Sequence, residues 1–379
     1  MIIRKLSVLN YKNIRQAEIV CSGKMNYFFG NNGMGKTNLL DAIYYLSFCK
    51  SHVHTPDSRL MHNGEELCVL QGFYDYEGKE EDIFCGIRRG QRKQFMRNKK
   101  EYDRLSEHIG LLPLVMISPT DSDLIHEGSE ERRRFMDMII SQHDKLYLYA
   151  LIQYNKVLMQ RNVLLRNRQP DDSVFEALEM QMETYGRQIY GKRILLIDRL
   201  IPIFNEYHRL ICGSGETVGL RYVSQLAKAD WVKDLKKSRD RDLLSGFSSV
   251  GIHKDDLEMM LDEHLIRRIG SQGQNKTCLI ALKLAQFAYM ATVGITKPIL
   301  LLDDIFDKLD AERVEKIIGL VSGDRFGQIF ITDTNRKYLD QILETINQDY
   351  SLFKVEQGEV RNENLYAKNL VLNLIQDEN

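Results

Sequence analysis

The sequence lacks the features that stabilise small secreted proteins, structural metal sites and membrane spans. Its six cysteines are scattered and none forms a C-x-x-C pair, which predicts reduced thiols rather than a disulfide or zinc framework. No apolar run reaches about eighteen residues and no secretory h-region is present, so we expect a cytoplasmic protein without a membrane span. The nine histidines form no H-E-x-x-H pattern, which leaves no zinc-protease motif.

The most informative motif is GNNGMGKT at residues 30–37, which matches G-x-x-x-x-G-K-[ST] in full. A short apolar strand precedes it at residues 27–29, and an apolar-faced helix follows at residues 38–46. This context predicts a loop whose N–H groups bind the phosphates of ATP, with Lys36 at the β- and γ-phosphates and Thr37 on Mg²⁺. The residues expected to contact the nucleotide are Gly30, Asn31, Asn32, Gly33, Met34, Gly35, Lys36, Thr37 and Asn38.

A second motif follows the apolar run at residues 298–302 and consists of Asp303 and Asp304. Such a run is typical of a strand buried in a parallel sheet, and ligands bind at the carboxyl ends of such strands. The pattern predicts that Asp303 holds Mg²⁺ and that Asp304 orients or deprotonates the attacking water. Taken alone, a strand followed by an Asp-rich turn is the alternative. Lys36, Asp303 and Asp304 are thus the candidate catalytic residues.

A third motif, SQGQ, comprises Ser271, Gln272, Gly273 and Gln274 and precedes a strongly helical stretch. By itself it is a good helix N-terminal cap. It stands about thirty residues before the Asp303 strand, as the S-x-G-Q signature does in ATP-binding-cassette ATPases. In that class the signature of one subunit contacts the nucleotide of the other, so these four residues are also expected to bind ATP.

Further segments connect the chain to a known family. They are residues 6–13, 50–52, 118–121 (SPTD), 128–137 (with RRRF), 251–256 (GIHKDD), 300–310 (LLLDDIFDKLD) and 331–334 (ITDT). With the three motifs above, they make the chain resemble the RecF family of bacterial recombination-mediator ATPases, which are related to the SMC proteins. The order of these segments, rather than the phosphate loop alone, is specific to that family.

The resemblance implies an α/β fold, an ABC/SMC-like split ATPase head with a mixed β-sheet flanked by helices and a mainly helical second lobe or arm. The expected divisions are residues 1–120 and 216–379 for the head and 121–215 for the arm. Two strands are expected before the phosphate loop and an antiparallel sheet over 66–100. Apolar residues at helical spacing, such as Leu146, Ala150, Tyr154 and Val157, predict long helices separated by Pro170.

The resemblance also implies a function. It is that of a weak, DNA-dependent ATPase that forms an ATP-dependent homodimer with the Asp310 loop near the interface. Because Asp304 is one methylene shorter than the glutamate usual in cassette ATPases, we expect slow turnover. Such proteins bind double-stranded DNA near single-strand/double-strand junctions and work with RecR and RecO to load RecA. Their roles are DNA replication, repair, recombination and the SOS response.

Local charge is the only sequence evidence for DNA contact, because the net charge is −1. A basic stretch with Gly90 at its turn predicts a β-hairpin that lies along the phosphate backbone of a duplex. A solvated basic loop is the alternative. No aromatic pattern for stacking on single strands accompanies these charges. The residues expected to contact DNA are Arg88, Arg89, Arg92, Lys93, Arg97, Lys99 and Lys100.

Several points stay open at this stage. The family usually has Pro and Arg where this chain has Ile252 and Lys254, and His253 between them suits either a structural role or a ligand contact. The tail over residues 364–375 suits a docking helix or a strand. A scaffold that binds ATP without hydrolysing it is one rival function. A transporter-type ATPase subunit is another, disfavoured by SQGQ in place of LSGGQ and by the long helical lobe.

Overall fold

The computed structural model describes residues 1–53, 55–168, 171–213, 215–227, 231–306, 309–334 and 349–364. The chain forms two compact units, one of Met1–Thr120 with Met290–Asn379 and one of Asp121–Tyr289. The sequence places its second boundary at 215/216, whereas the structure places it at 289/290. Among the described helices, none has the length and low polarity needed to span a bilayer.

The first unit begins with three strands before the phosphate loop, one more than the sequence predicts. Its elements up to residue 120 are β1 (Ile2–Tyr11), β2 (Ile14–Val20), β3 (Met25–Phe29), α1 (Lys36–Phe48), β4 (Leu67–Tyr76), β5 (Lys79–Arg88), β6 (Gln94–Arg97), β7 (Lys100–Glu101) and β8 (Leu114–Ile117).

The second unit contains most of the helices, as the resemblance implies. Its elements are α2 (Asp123–His126), α3 (Ser129–Ser141), α4 (Lys145–Asn167), α5 (Asp172–Cys212), β9 (Val218–Val223), α6 (Trp231–Ser245), β10 (Asp256–Leu261), β11 (His264–Leu265), α7 (Ile266–Ile269) and α8 (Gln272–Val293), which ends in the first unit. The chain then completes the first unit with β12 (Ile299–Asp303), α9 (Ala311–Ser322), β13 (Ile329–Asp333), β14 (Tyr350–Glu356) and β15 (Glu359–Asn362).

Two sheets build the first unit. An antiparallel sheet has the order β2-β1-β4-β5-β6-β7, as the alternation over residues 66–100 predicts. A mixed sheet has the order β15-β14-β3-β13-β12-β8, in which only β15 is antiparallel to its neighbour. The side chains of β12 are all buried, which explains its unbroken apolar run. Because β3, β12 and β13 are parallel, their carboxyl ends lie at one edge of the sheet.

Contacts with its long helices hold much of the segment after residue 215 in the second unit. Helix α5 has 41 residues, about 60 Å at 1.5 Å per residue, and pairs with α4 on the other side of Pro170, a residue outside the described ranges. Buried ion pairs tie the following segment to these helices: Arg161 Nη1 lies 2.8 Å from Asp242, and Arg193 Nη1 lies 3.0 Å from Asp255. Separating such pairs would leave uncompensated charges in the interior.

Candidate functional site

The phosphate loop lies between β3 and α1, in the strand–loop–helix context that the motif requires. Its glycines Gly30, Gly33 and Gly35 all have positive φ. A Cβ on Gly30 would collide with the carbonyl oxygen of Val355, so the close approach of β14 requires glycine there. The loop ends at the N-terminus of α1, where backbone N–H groups favour an anion.

Lys36 is the first residue of α1 and is only 4% exposed. Its ammonium donates hydrogen bonds to the carbonyl oxygens of Gly30 at 2.7 Å and Asn31 at 3.1 Å. Thus the lysine head lies against the loop that the sequence assigns to phosphate binding. An ammonium has three donors, and these two bonds leave a third for a phosphate oxygen.

Asp303 connects the phosphate loop to the edge of the mixed sheet. Its Oδ1 accepts hydrogen bonds from Thr37 Oγ1 at 2.9 Å and from Thr332 Oγ1 at 2.7 Å. Burial raises the pKa of Asp303, while the bonds from the two threonines act in the opposite direction. The two motifs that the sequence pairs, 266 residues apart, therefore meet at one carboxylate.

Asp304 follows with φ of 45°, in the left-handed region that is uncommon for a residue other than glycine. Its backbone N–H lies 3.1 Å from Thr332 Oγ1, so Thr332 contacts both acidic residues of the motif. Sequence reasoning did not assign Thr332 to the site. Its signal is the TD pair that ends the buried strand β13, at the same sheet edge as Asp303.

This donor set fits Mg²⁺. A buried carboxylate with a raised pKa gains from a nearby cation, and a threonine hydroxyl beside a carboxylate is an oxygen pair that Mg²⁺ accepts. Asp303 and Thr37 would hold the ion, which would offset the charge of the β- and γ-phosphates when bound.

Two turns support the phosphate loop and were also missed from the sequence. Asn13, between β1 and β2, donates to the Gly33 carbonyl at 3.1 Å and accepts from Asn38 Nδ2 at 2.7 Å. Gly358, between β14 and β15, donates from its N–H to the Met34 carbonyl at 3.0 Å. Both turns are distant in sequence from the loop, so no local pattern identifies them.

The SQGQ motif lies in the second unit and begins α8. Ser271 Oγ accepts from the N–H of Gln274 at 3.2 Å, and Gln274 Oε1 accepts from the N–H of Ser271 at 2.8 Å. This reciprocal pair is a capping box. The helix N-terminal cap that the motif predicts by itself is therefore present. Ser271 and Gln272 are exposed, and the Ser271 hydroxyl keeps its own proton to donate.

The seven predicted DNA-contacting residues lie on the ribbon formed by β5, β6 and β7. Gly90, with φ of 71°, lies in the turn between β5 and β6, as predicted. Five of the basic side chains are exposed: Arg88, Arg89, Arg92, Lys99 and Lys100. We call these five residues the basic ribbon.

The other two predicted residues are less exposed and more firmly engaged within the protein than Arg89, whose ion pair with the exposed Glu66 is 3.2 Å long. Lys93 Nζ contacts Tyr45 Oη at 2.8 Å, the Cys49 carbonyl at 2.6 Å and Asp57 at 3.0 Å, which occupies all three ammonium donors. Arg97 makes a bidentate pair with Glu81 at 2.8 and 2.6 Å. This guanidinium holds the pKa of Glu81 below its usual range. We therefore separate Lys93 and Arg97 from the basic ribbon.

Both ring nitrogens of His253 contact groups within the protein, which supports a structural role. Its Nδ1 lies 2.8 Å from Tyr154 Oη and its Nε2 lies 2.9 Å from the Ser248 carbonyl, and burial lowers its pKa to about 4. Ile252 is buried and Lys254 is exposed.

Asp310 caps α9 by accepting from the N–H of Arg313 at 2.9 Å. Asp307, Lys308 and the tail over residues 365–375 lie outside the described ranges.

Comparison with known proteins gives consistent results. The family model for the RecF/RecN/SMC N terminal domain matches residues 2–361. The DNA replication and repair protein RecF of Parabacteroides distasonis is 67% identical over 361 residues, covering 95% of this chain and 99% of that protein. RecF of Bacteroides thetaiotaomicron is 56% identical over 360 residues, covering 94% and 98%.

Solved structures agree with these sequence relationships. The structure of the recombination mediator protein RecF with ATP, from the RecFOR pathway, superposes with a TM-score of 0.85 at 28% identity, covering 95% of this chain and 98% of that one. The Smc head domain of Pyrococcus furiosus has a TM-score of 0.58 at 17% identity, which shows a shared fold. The expected ABC/SMC-like head with a helical second lobe is confirmed.

Proposed function

The chain belongs to the RecF family of DNA replication and repair proteins, and we propose that it is an ATP-gated clamp of recombinational repair. The contact between Thr37 Oγ1 and Asp303 Oδ1, 2.9 Å long, is the observation that carries this proposal. It joins a phosphate loop to a buried carboxylate at the carboxyl ends of the parallel strands of the mixed sheet, where nucleotide sites form. MgATP then binds through Gly35, Lys36, Thr37 and Asp303.

Gating follows from two sets of phosphate contacts. The first set comes from the phosphate loop, and the second comes from Ser271 of the partner subunit and Gly273 of the partner subunit. Exposure of the Ser271 hydroxyl supports this second role. Since only a closed homodimer makes both sets, ATP favours the dimer by differential binding. Hydrolysis removes the γ-phosphate and opens the clamp.

Hydrolysis requires a group that positions water, and we assign this role to Asp304. Its backbone contact to Thr332 fixes it directly after Asp303, whose carboxylate accepts a hydrogen bond from Thr37 of the phosphate loop. Its short side chain supports slow turnover. Slow hydrolysis suits a protein in which it limits the lifetime of the closed dimer rather than one that drives repeated movement. The DNA-dependence of this activity is part of the proposal.

The basic ribbon supplies the proposed DNA contact. Five exposed cations on adjacent strands and turns neutralise backbone phosphates without reading bases, so the ribbon binds duplex by its charge and shape. Family membership supports a preference for single-strand/double-strand junctions. It also supports joint work with RecR and RecO in loading RecA.

Sedimentation velocity with gapped duplex DNA tests the whole proposal. The protein is compared without nucleotide, with ADP and with ATP, and the Asp304→Asn variant is included to hold ATP unhydrolysed. We expect a dimer and a DNA complex in the presence of ATP but not with ADP or without nucleotide. The variant should give a longer-lived dimer. A monomer that ignores both nucleotide and DNA would refute the clamp. A dimer that forms on ATP while the wild type shows no phosphate release would indicate the non-hydrolysing scaffold instead.

A further inference from the structure

A cluster of three side chains of types that can ligate a metal lies at the C-terminal end of α5, outside the nucleotide site. His208 and Cys212 are four residues apart on one face of the helix, and Glu216 lies in the segment that follows the helix. Gly213, with φ of 85°, ends the helix, and Glu216 lies beyond it. The ligand atoms of all three lie within 4.8 Å of one another.

The spacing of the first two ligands matches a tetrahedral zinc ion. Cys212 Sγ and His208 Nε2 form a hydrogen bond of 3.5 Å, and the same two atoms can face one ion. With Zn–S near 2.3 Å, Zn–N near 2.0–2.1 Å and a tetrahedral angle, two such ligand atoms lie about 3.6 Å apart. The exposed Glu216 offers a carboxylate oxygen within 4.8 Å of both atoms, which places it to become the third ligand. A thiolate with an imidazole favours zinc over magnesium or calcium.

The absence of C-x-x-C pairs predicts no zinc framework, but this prediction concerns only sites built from paired cysteines. Here the helix spacing joins one cysteine to a histidine, and a turn adds the glutamate. A histidine and cysteine four apart on a helix are common without a metal. An exposed carboxylate nearby is also common without a metal, so the distinguishing feature is that Glu216 is in ligand range and held by a hydrogen bond from Gln274.

The cluster is linked to the signature motif through Glu216. Its Oε1 accepts a hydrogen bond from Gln274 Nε2 at 2.6 Å, and Gln274 forms the capping box with Ser271. A carboxylate has a second oxygen, so Oε2 can bind a metal while Oε1 keeps Gln274. Groups that hydrogen-bond a ligand in this way orient it and strengthen metal binding.

We propose that His208, Cys212 and Glu216 form a zinc site that holds the start of α8 in its capped form. Cys212 binds as thiolate and releases its proton to solvent. A water completes the four ligands, which is the pattern of an open zinc site. The bound ion orders Glu216, and Glu216 in turn orders Gln274.

Zinc titration of the full-length protein against a chromophoric chelator tests the site. We expect one Zn²⁺ per chain, with affinity lowered at least about tenfold by Glu216→Gln and further by Cys212→Ser. Glu263→Gln and His264→Ala are the matched controls, because both residues are exposed in the same unit. They leave the affinity unchanged. Co²⁺ in place of zinc gives a thiolate charge-transfer band that Cys212→Ser loses.

Hydrogen exchange tests the link to the signature. Zinc slows amide exchange over residues 272–276 in the wild type and has no effect there in Glu216→Gln. Glu216 is exposed, so this variant folds and remains informative if Cys212→Ser does not. The site is overturned by substoichiometric binding, by equal affinity in the wild type and Glu216→Gln, or by a missing thiolate band. Binding without slower exchange at α8 overturns the link. None of these readouts depends on ATP.

Discussion

The phosphate-loop site and the basic ribbon lie in the same unit, yet their charged groups differ in how they are held. Lys36 and Asp303 are buried and fixed by hydrogen bonds to the backbone or to threonines. Arg92, Lys99 and Lys100 are exposed on strand ends and turns. In the buried site, each group depends on the position of the next. On the ribbon, each charge acts almost independently.

This difference predicts two kinds of mutational response. Removing one group from an interlocked buried site disturbs several neighbours, so effects on turnover are large and depend strongly on the replacement. Removing one exposed charge takes away one screened phosphate contact, so effects on DNA binding are small and additive. The following changes test that contrast.

Asp304→Asn has the largest expected effect. The amide is isosteric but cannot accept a proton from water, so kcat for ATP hydrolysis falls by about 10²- to 10⁴-fold. ATP affinity and ATP-driven dimerisation stay within about twofold, because Lys36, Thr37 and Asp303 are untouched. Single-turnover phosphate release and equilibrium nucleotide binding are the measurements. Asp240→Asn, an exposed change in the other unit, is the control and keeps full activity. Normal hydrolysis by Asp304→Asn would remove this residue from the mechanism.

Thr332→Val has a smaller effect that carries a pH signature. The hydrogen bond from Thr332 lowers the pKa of Asp303, which burial raises, so removing the hydroxyl raises that pKa further. Asp303 acts as the ionised form, and its protonated fraction at a given acidic pH therefore grows. We expect kcat to fall by about 10- to 100-fold and the acidic limb of the pH–rate profile to move to higher pH.

Thr332→Ser is the matched control, because it restores the hydroxyl and hence both the rate and the profile. A variant that only loosens packing would lower the rate at every pH without moving the acidic limb. That result would contradict the role of Thr332 in setting the charge of Asp303.

Sequence reasoning found the parts of the nucleotide site that local pattern and strand direction determine. The phosphate loop, the buried strand before Asp303 and their meeting at a parallel-sheet edge all follow from such rules. Thr332, Asn13 and Gly358 did not follow, because each reaches the site through a tertiary contact with a segment far away in the chain. Identifying them requires the strand order of the mixed sheet.

Charge and apolar spacing in the sequence do not show which side chains contact the protein interior and which are exposed to solvent. Lys93 and Lys99 are identical in type and six residues apart, but Lys93 uses its three donors on Tyr45, Cys49 and Asp57. Likewise, the helical spacing of Leu146 and Ala150 predicts a helix correctly, although Ala150 is fully buried and Leu146 is 76% exposed. Neighbouring elements decide that difference.

The basic ribbon provides the smallest effect per residue. Simultaneous reversal of Arg92, Lys99 and Lys100 to Glu should weaken duplex binding and reduce the slope of log K against log salt by up to about three, nearly one for each DNA phosphate that the protein no longer neutralises. Reversing Lys233, Lys236 and Lys237 on α6 makes the same change in net charge and is the control. Lys93→Gln should lower the melting temperature and leave the salt slope unchanged, since its charge is used internally. Equal slopes for the ribbon and α6 variants would mean that net charge, rather than this surface, governs DNA binding.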